Sequence, residues 1–90
     1  MKFTVHGKHR VAERGISEAQ ILQAISKPTF AFYDLSSAAN VVFKRLNGKH
    51  LLVVYASEGK EIRVITTFIT SSAQEIMDSK LNSGIWVKIK

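Results

Sequence analysis

The sequence predicts an α+β domain: two N-terminal helices packed on one face of a four-stranded antiparallel sheet, followed by a C-terminal helix and a short tail. Three observations predict it. The apolar spacing is helical before Pro28 and alternates in steps of two from Thr29 to Thr70. Asn47-Gly48 and Glu58-Gly59 mark tight turns between apolar runs, and such short connections force neighbouring strands to run antiparallel. Ser17 with Gln20, and Ser72 with Glu75, match the capping-box pattern that opens a helix, one on each side of the strands.

Taken in order, Phe3 to Val5 reads as a short strand or as a lead-in to a helix. His6 to Arg14 is long enough for about two helical turns, ending at Gly15, a residue suited to a left-handed C-terminal cap. The second helix starts at Ser17, with Ile16 and Ile21 placed as a hydrophobic staple and Ile21, Leu22 and Ile25 as its apolar face. It stops before Lys27-Pro28 because proline disfavours helix at the residue before it. Four strands follow at about Phe30 to Leu35, Val41 to Leu46, His50 to Ser57 and Glu61 to Thr70. The last helix runs from Ser72 to Asn82 with Ile76, Met77 and Leu81 as its stripe, and Ser83-Gly84 ends it. The tail Ile85-Trp86-Val87-Lys88-Ile89-Lys90 alternates like an edge strand or an arm that docks on a partner.

Ninety residues, 46% apolar and 22% charged, suit one globular domain spanning 1–90. Cysteine is absent, which removes disulfides and thiolate metal sites and fits a reducing cytoplasm. The opening MKFTVHGKHR breaks into charge before any signal-peptide core could form, and no apolar run approaches the roughly 20 residues of a membrane span. A cytoplasmic protein with no membrane partner is therefore expected. Thirteen basic against seven acidic residues leave a net charge of +6, which points to an anionic partner such as nucleic acid or an acidic protein. The excess is local: Lys2, Lys8, Arg10 and Arg14 face only Glu13 in the N-terminal segment.

At 100° per residue, Arg10 lies roughly 40° and Arg14 roughly 80° round the helix from His6, so an imidazole and two guanidiniums share one face, bordered by His9 and Glu13. Such a face suits a phosphodiester, because arginine's fork grips phosphate oxygens and histidine titrates near neutrality. A solvated helix with Glu13 paired to Arg10 and His9 accounts for the same spacing. A metal held by His6, His9 and Glu13 is disfavoured by the flanking Lys8, Arg10 and Arg14, and no cofactor is implied. In VVFKRL, Arg45 shares the side of Val41 and Phe43, so it either emerges at the sheet's edge or lines a cleft that an anion completes; Lys44 faces the other way. Alternation in RVITTFIT puts the Thr66 hydroxyl beside Ile62, Val64 and Phe68, bonded to backbone or serving a site. Tyr55 is either core or a platform for a base. His50, beside the hairpin turn, reads as a surface histidine.

The run His6-x-x-x-Arg10-x-x-x-Arg14-Gly15-Ile16-Ser17, a short helix, a strand meander and a late Val64-Ile65-Thr66 strand together resemble a known group. It is the small domain of unknown function placed with the BrnT and RelE toxins in the barnase–EndoU–colicin–RelE superfamily of ribonucleases. The resemblance spans roughly residues 3 to 70. It implies a metal-independent endoribonuclease, the toxin of a toxin–antitoxin pair, held inactive by a cognate antitoxin protein. His6 then matches the family's helix histidine, Arg10 and Arg14 its arginines, Thr66 its last-strand hydroxyl and, more loosely, Arg45 a further arginine. The expected chemistry has His6 as acid or base, Arg10 and Arg45 on the scissile phosphate and Thr66 as a hydrogen-bond donor. His9, Arg14, Lys44 and Tyr55 position the RNA. Two other readings compete: a non-catalytic RNA- or protein-binding module using the same basic face, and a partner subunit that joins another chain through its strand edge or tail. A homodimer is compatible with each.

Overall fold

The computed structural model describes residues 2–3 and 15–89, for Lys2 and Phe3 as backbone only. In chain order these form β1 (Lys2–Phe3), α1 (Glu18–Ser26), β2 (Phe30–Asp34), β3 (Ala39–Leu46), β4 (Lys49–Glu58), β5 (Glu61–Thr70), α2 (Ala73–Asn82) and β6 (Trp86–Lys88).

The capping box at Ser17 forms in both directions. The Ser17 hydroxyl oxygen accepts the Gln20 N–H at 3.1 Å, and the Gln20 Oε1 accepts the Ser17 N–H at 2.9 Å. Ile16 and Ile21, the staple pair, are both buried, and α1 ends with Lys27 as its C-cap, directly before Pro28. Replacing Ser17 by alanine removes one arm of the box and is expected to cost about 1 kcal/mol, read as a lowered urea midpoint at constant m-value. The buried face of α1 is Ile21 and Ala24 with Ile25 beside them, whereas Leu22 is 48% exposed. Ile21, Ala24 and Ile25 fall within one 100° arc; Leu22 lies a further 60° round from Ile25, so the expected stripe was displaced by one position.

The expectation of two N-terminal helices on a four-stranded sheet is overturned. The sheet has six strands in the order β1-β5-β4-β3-β2-β6. Five of them, β5 through β6 in that order, are antiparallel neighbours, and β1 adds parallel to β5 through Lys2↔Arg63 and Phe3↔Val64. One described helix precedes the meander and one follows it; the helix expected over 6–14 lies outside the described residues. A two-residue strand is too short to leave a periodic signature, and the tail could become β6 only once β2 had an open edge to offer.

The helices also lie on opposite faces. On one, Ile16, Ile21 and Ala24 pack against Ala31, Val42, Leu51, Val53 and Val64. On the other, Ala73 and Met77 of α2 pack against Phe32, Val41, Phe43, Leu52 and Trp86. The physical cause is visible in Val41-Val42-Phe43 and Leu51-Leu52-Val53, runs buried without alternation, which only a sheet covered on both sides can accommodate. In α2 the expected capping box does not form: the Ser72 N–H donates instead to the Thr70 hydroxyl oxygen at 3.0 Å. Its buried positions are Ala73 and Met77, with Ile76 alongside, and Leu81 is 38% exposed.

A bulge in β5 changes the phase of its side chains. Val54 pairs with Thr66 but Tyr55 pairs with Val64, so Ile65 is an extra residue between the two pairs. Val64 therefore faces α1 while Thr66 and Phe68 face α2. Alternation had put all three together. The fully buried threonine is Thr67, whose hydroxyl donates to the Leu52 carbonyl at 2.8 Å.

The turn after β2 is tied to the C-terminal strand through Asp34. One carboxylate oxygen accepts the Ser36 N–H at 2.9 Å, the Ser36 hydroxyl at 2.7 Å and the Ser37 N–H at 3.2 Å; the other accepts Trp86 Nε1–H at 3.2 Å. Partial burial pushes the carboxyl's pKa up, but the donated hydrogen bonds from Ser36, Ser37 and Trp86 together hold it below its ordinary value. A folded pKa depressed in this way contributes stability that is present at neutral pH and is lost as pH falls through the carboxylate range. Asp34→Asn should therefore lower the melting temperature at pH 7, and its deficit relative to the parent should shrink below about pH 4.

Candidate functional site

The Asn47-Gly48 turn sets the geometry of the most polar part of the sheet. Both residues have positive φ, 23° and 82°, the combination of a two-residue turn whose twist matches that of the flanking strands. It locks Leu46 opposite Lys49 and Arg45 opposite His50, and the β4–β5 register then sets His50 opposite Thr70. A guanidinium, an imidazole and a hydroxyl thus lie in one row across three adjacent strands, on the face that carries α2. Directly paired positions bring successive Cβ atoms to about 5 Å, within reach of a single phosphate group.

Each member is held locally. The Arg45 N–H donates to the Thr29 hydroxyl oxygen at 3.0 Å, which pins the end of β3 while the side chain stays exposed. His50 is half-buried between Phe30, at 6.1 Å between ring centroids, and Phe43, at 6.4 Å, so it is not the plain surface histidine expected. The Thr70 oxygen accepts the Ser72 N–H, which leaves the hydroxyl proton to donate. From Leu35 to Ser57 the chain has Lys44, Arg45, Lys49 and His50 but no carboxylate, so the β3–β4 hairpin is cationic. Arg63, on the same face, is engaged by Glu58 at 2.7 Å.

Other predicted site residues go elsewhere. Thr66 is on the same face as Arg45 but four residue pairs along and two strands across, about 16 Å away by strand geometry. The two do not converge on one anion. Lys44 lies on the α1 face, where its Nζ donates to the Lys27 carbonyl at 2.9 Å and satisfies the end of α1. Tyr55 is half-buried and packs against the α1-side core, in keeping with its core reading, and burial raises its phenol pKa. His6, His9, Arg10 and Arg14 lie outside the described residues. Among the described residues there is no concave pocket and no group of three side chains able to ligate a metal.

Sequence reasoning missed His50 and Thr70 as partners of Arg45, although a signal was there. A two-residue Asn-Gly turn makes the residues flanking it pair directly, so Arg45 opposite His50 follows from counting outward. Thr70 did not follow, because the bulge at Ile65 shifts the β5 register.

Among the described residues no helix is long and apolar enough to cross a membrane. A model of the family described as a domain of unknown function, DUF4258, matches residues 3–69. No curated protein and no solved structure matches the chain.

Proposed function

The chain belongs to the DUF4258 family of domains of unknown function, and from the resemblance of its cationic N-terminal segment and strand meander to the BrnT and RelE toxins we propose that it is a metal-independent endoribonuclease. It acts in the cytoplasm as the toxin of a toxin–antitoxin pair. The single observation that supports the reading best is the row Arg45, His50, Thr70.

The chemistry asks for three things. The 2′-hydroxyl of the RNA loses its proton as its oxygen attacks phosphorus, the bond from phosphorus to the 5′ oxygen breaks, and that oxygen takes up a proton. The products are a 2′,3′-cyclic phosphate and a 5′-hydroxyl. Charge that builds on the non-bridging oxygens must be neutralised. Arg45 holds those oxygens, Thr70 donates to one of them, and the His50 imidazole moves a proton. His6 supplies the second proton-transfer group, Arg10 joins Arg45 on the scissile phosphate, and His9 and Arg14 position the RNA.

Purified protein incubated with RNA in excess EDTA should yield fragments ending in 2′,3′-cyclic phosphate. RNA left intact across varied sequences, with no inhibitory partner present, would falsify the nuclease reading. Expression of the chain alone should arrest growth, and co-expression of its antitoxin should relieve the arrest.

The flat, open surface around Arg45 favours a second reading, a non-catalytic module that binds RNA. It predicts salt-sensitive binding without cleavage and a loss of affinity on Arg45→Ala that is uniform across sequences.

A further inference from the structure

The C-terminal strand β6 ends the sheet, and its outer side has no neighbour among the described residues. Its inner side pairs with β2: the Leu35 N–H donates to the Ile85 carbonyl and the Ile89 N–H to the Ala31 carbonyl, each at 2.9 Å. In an antiparallel pair the bonding residues alternate, so Ile85, Val87 and Ile89 bond inward. The N–H and C=O groups of Trp86 and Lys88 therefore point outward, ready to pair with another strand.

The side chains along this edge divide by face. Val87, 48% exposed, and Ile89, 59% exposed, share the α1 face with Leu35, 59% exposed, and half-buried Tyr33. The opposite face presents the exposed Lys88 beside a buried Trp86. From Ser79 to Lys90 the sequence has Lys80, Lys88 and Lys90 and no acidic residue.

We propose that β6 is a docking edge for an extended segment of an acidic partner protein, in which acidic residues alternate with apolar ones. The segment adds to the sheet as a seventh strand through the outward groups of Trp86 and Lys88. Its apolar residues extend the strip of Leu35, Val87 and Ile89, and its carboxylates meet Lys88 on the other face. Charge selects this occupant over a second copy of the chain. Two β6 strands side by side would bring both Lys88 side chains onto one face of the joined sheet, in molecules that each have a net charge of +6, and like charges close together across a strand pair are destabilising. The lysine on an otherwise apolar edge disfavours self-pairing while leaving the edge open to an opposite charge. The assignment holds whether or not the protein cleaves RNA.

The test uses the full chain, isotopically labelled, and a synthetic peptide alternating glutamate with valine. Saturable amide shifts at Trp86, Val87 and Lys88 are expected, absent with a peptide alternating lysine with valine. Lys88→Pro removes one outward donor and leaves the inward pairs of Val87 and Ile89 intact, a position at which an edge strand tolerates proline. It should weaken peptide binding at least about tenfold with the urea midpoint nearly unchanged. Lys88→Glu should weaken the acidic peptide roughly tenfold and admit the lysine peptide instead. The proposal is overturned if millimolar acidic peptide shifts none of these amides, or if both variants bind it as the parent does. A parent that sediments as a dimer through β6, and becomes monomeric in Lys88→Pro, would replace the acidic partner by a second copy.

Discussion

His50→Ala is expected to slow RNA cleavage by about 10²- to 10⁴-fold, the usual range for removing a group that moves a proton in the transition state. The loss should fall on kcat. KM for RNA should stay within a few-fold, because on the proposed reading Arg45 and the cationic N-terminal segment hold the phosphate. Arg45→Ala should raise KM as well as lower kcat, since on that reading the guanidinium meets the phosphate before and during reaction. The double variant should be much less than multiplicatively worse, as expected for residues that act as a unit. His50 is half-buried against Phe30 and Phe43, so its truncation costs little packing, and an unchanged circular dichroism spectrum separates chemistry from unfolding. His6→Ala belongs in the same series. Should it abolish turnover while His50→Ala runs at the parental rate, the reacting imidazole is the N-terminal one and the row on the sheet only binds.

Trp86→Ala is expected to cost about 3–5 kcal/mol, the range for truncating a buried aromatic residue. A domain of this size has a total stability of about 5–15 kcal/mol, so the variant stands near the limit of folding. The indole is 6% exposed and stacks on Phe32 at 5.3 Å between centroids, with Phe43 at 5.9 Å. Its Nε1–H also holds the Asp34 carboxylate, so truncation unfastens β6 from the turn after β2 and removes packing in one stroke. The urea midpoint, followed by circular dichroism because the only tryptophan is gone, should fall by a large fraction of its parental value. Trp86→Phe keeps a ring on Phe32 and loses the hydrogen bond, and it should cost clearly less. Equal losses from the two variants would mean that the Asp34 bond, and not the stack, anchors the strand.

Much of the fold was legible because it is written in short-range chemistry. Ser17 and Gln20 sit three residues apart, and the box they form depends only on local backbone. Asn47 and Gly48 take positive φ that few other residues tolerate. The four central strands show themselves through β-branched and aromatic residues between turns. What escaped depends on distant neighbours. Ser72 with Glu75 has the spelling of a capping box, but the Ser72 N–H found the Thr70 hydroxyl first. The bulge at Ile65 has no sequence mark, and it moved Thr66 away from Val64 and made Thr67 the buried hydroxyl. The candidate site suffered in the same way: Arg45 opposite His50 could be counted outward from Asn47-Gly48, yet Thr70 enters the row only through the bulged register of β5.

From its sequence alone this protein acquired its Asn47-Gly48 turn, the α1 boundaries, its strand-rich middle and its positive charge, since each arises from residues close together in the chain; the turn expected at Glu58-Gly59 lies one residue on, at Gly59-Lys60, with Glu58 paired to Glu61. Only the tertiary structure decided that the helices take opposite faces of the sheet, that the tail closes it as a sixth strand beside β2, and that Thr70 rather than Thr66 falls in the row of Arg45 and His50. The physical reason is that strand partners and covered faces are chosen by which surfaces remain unpaired once the core assembles, a property of the whole chain that no local window contains.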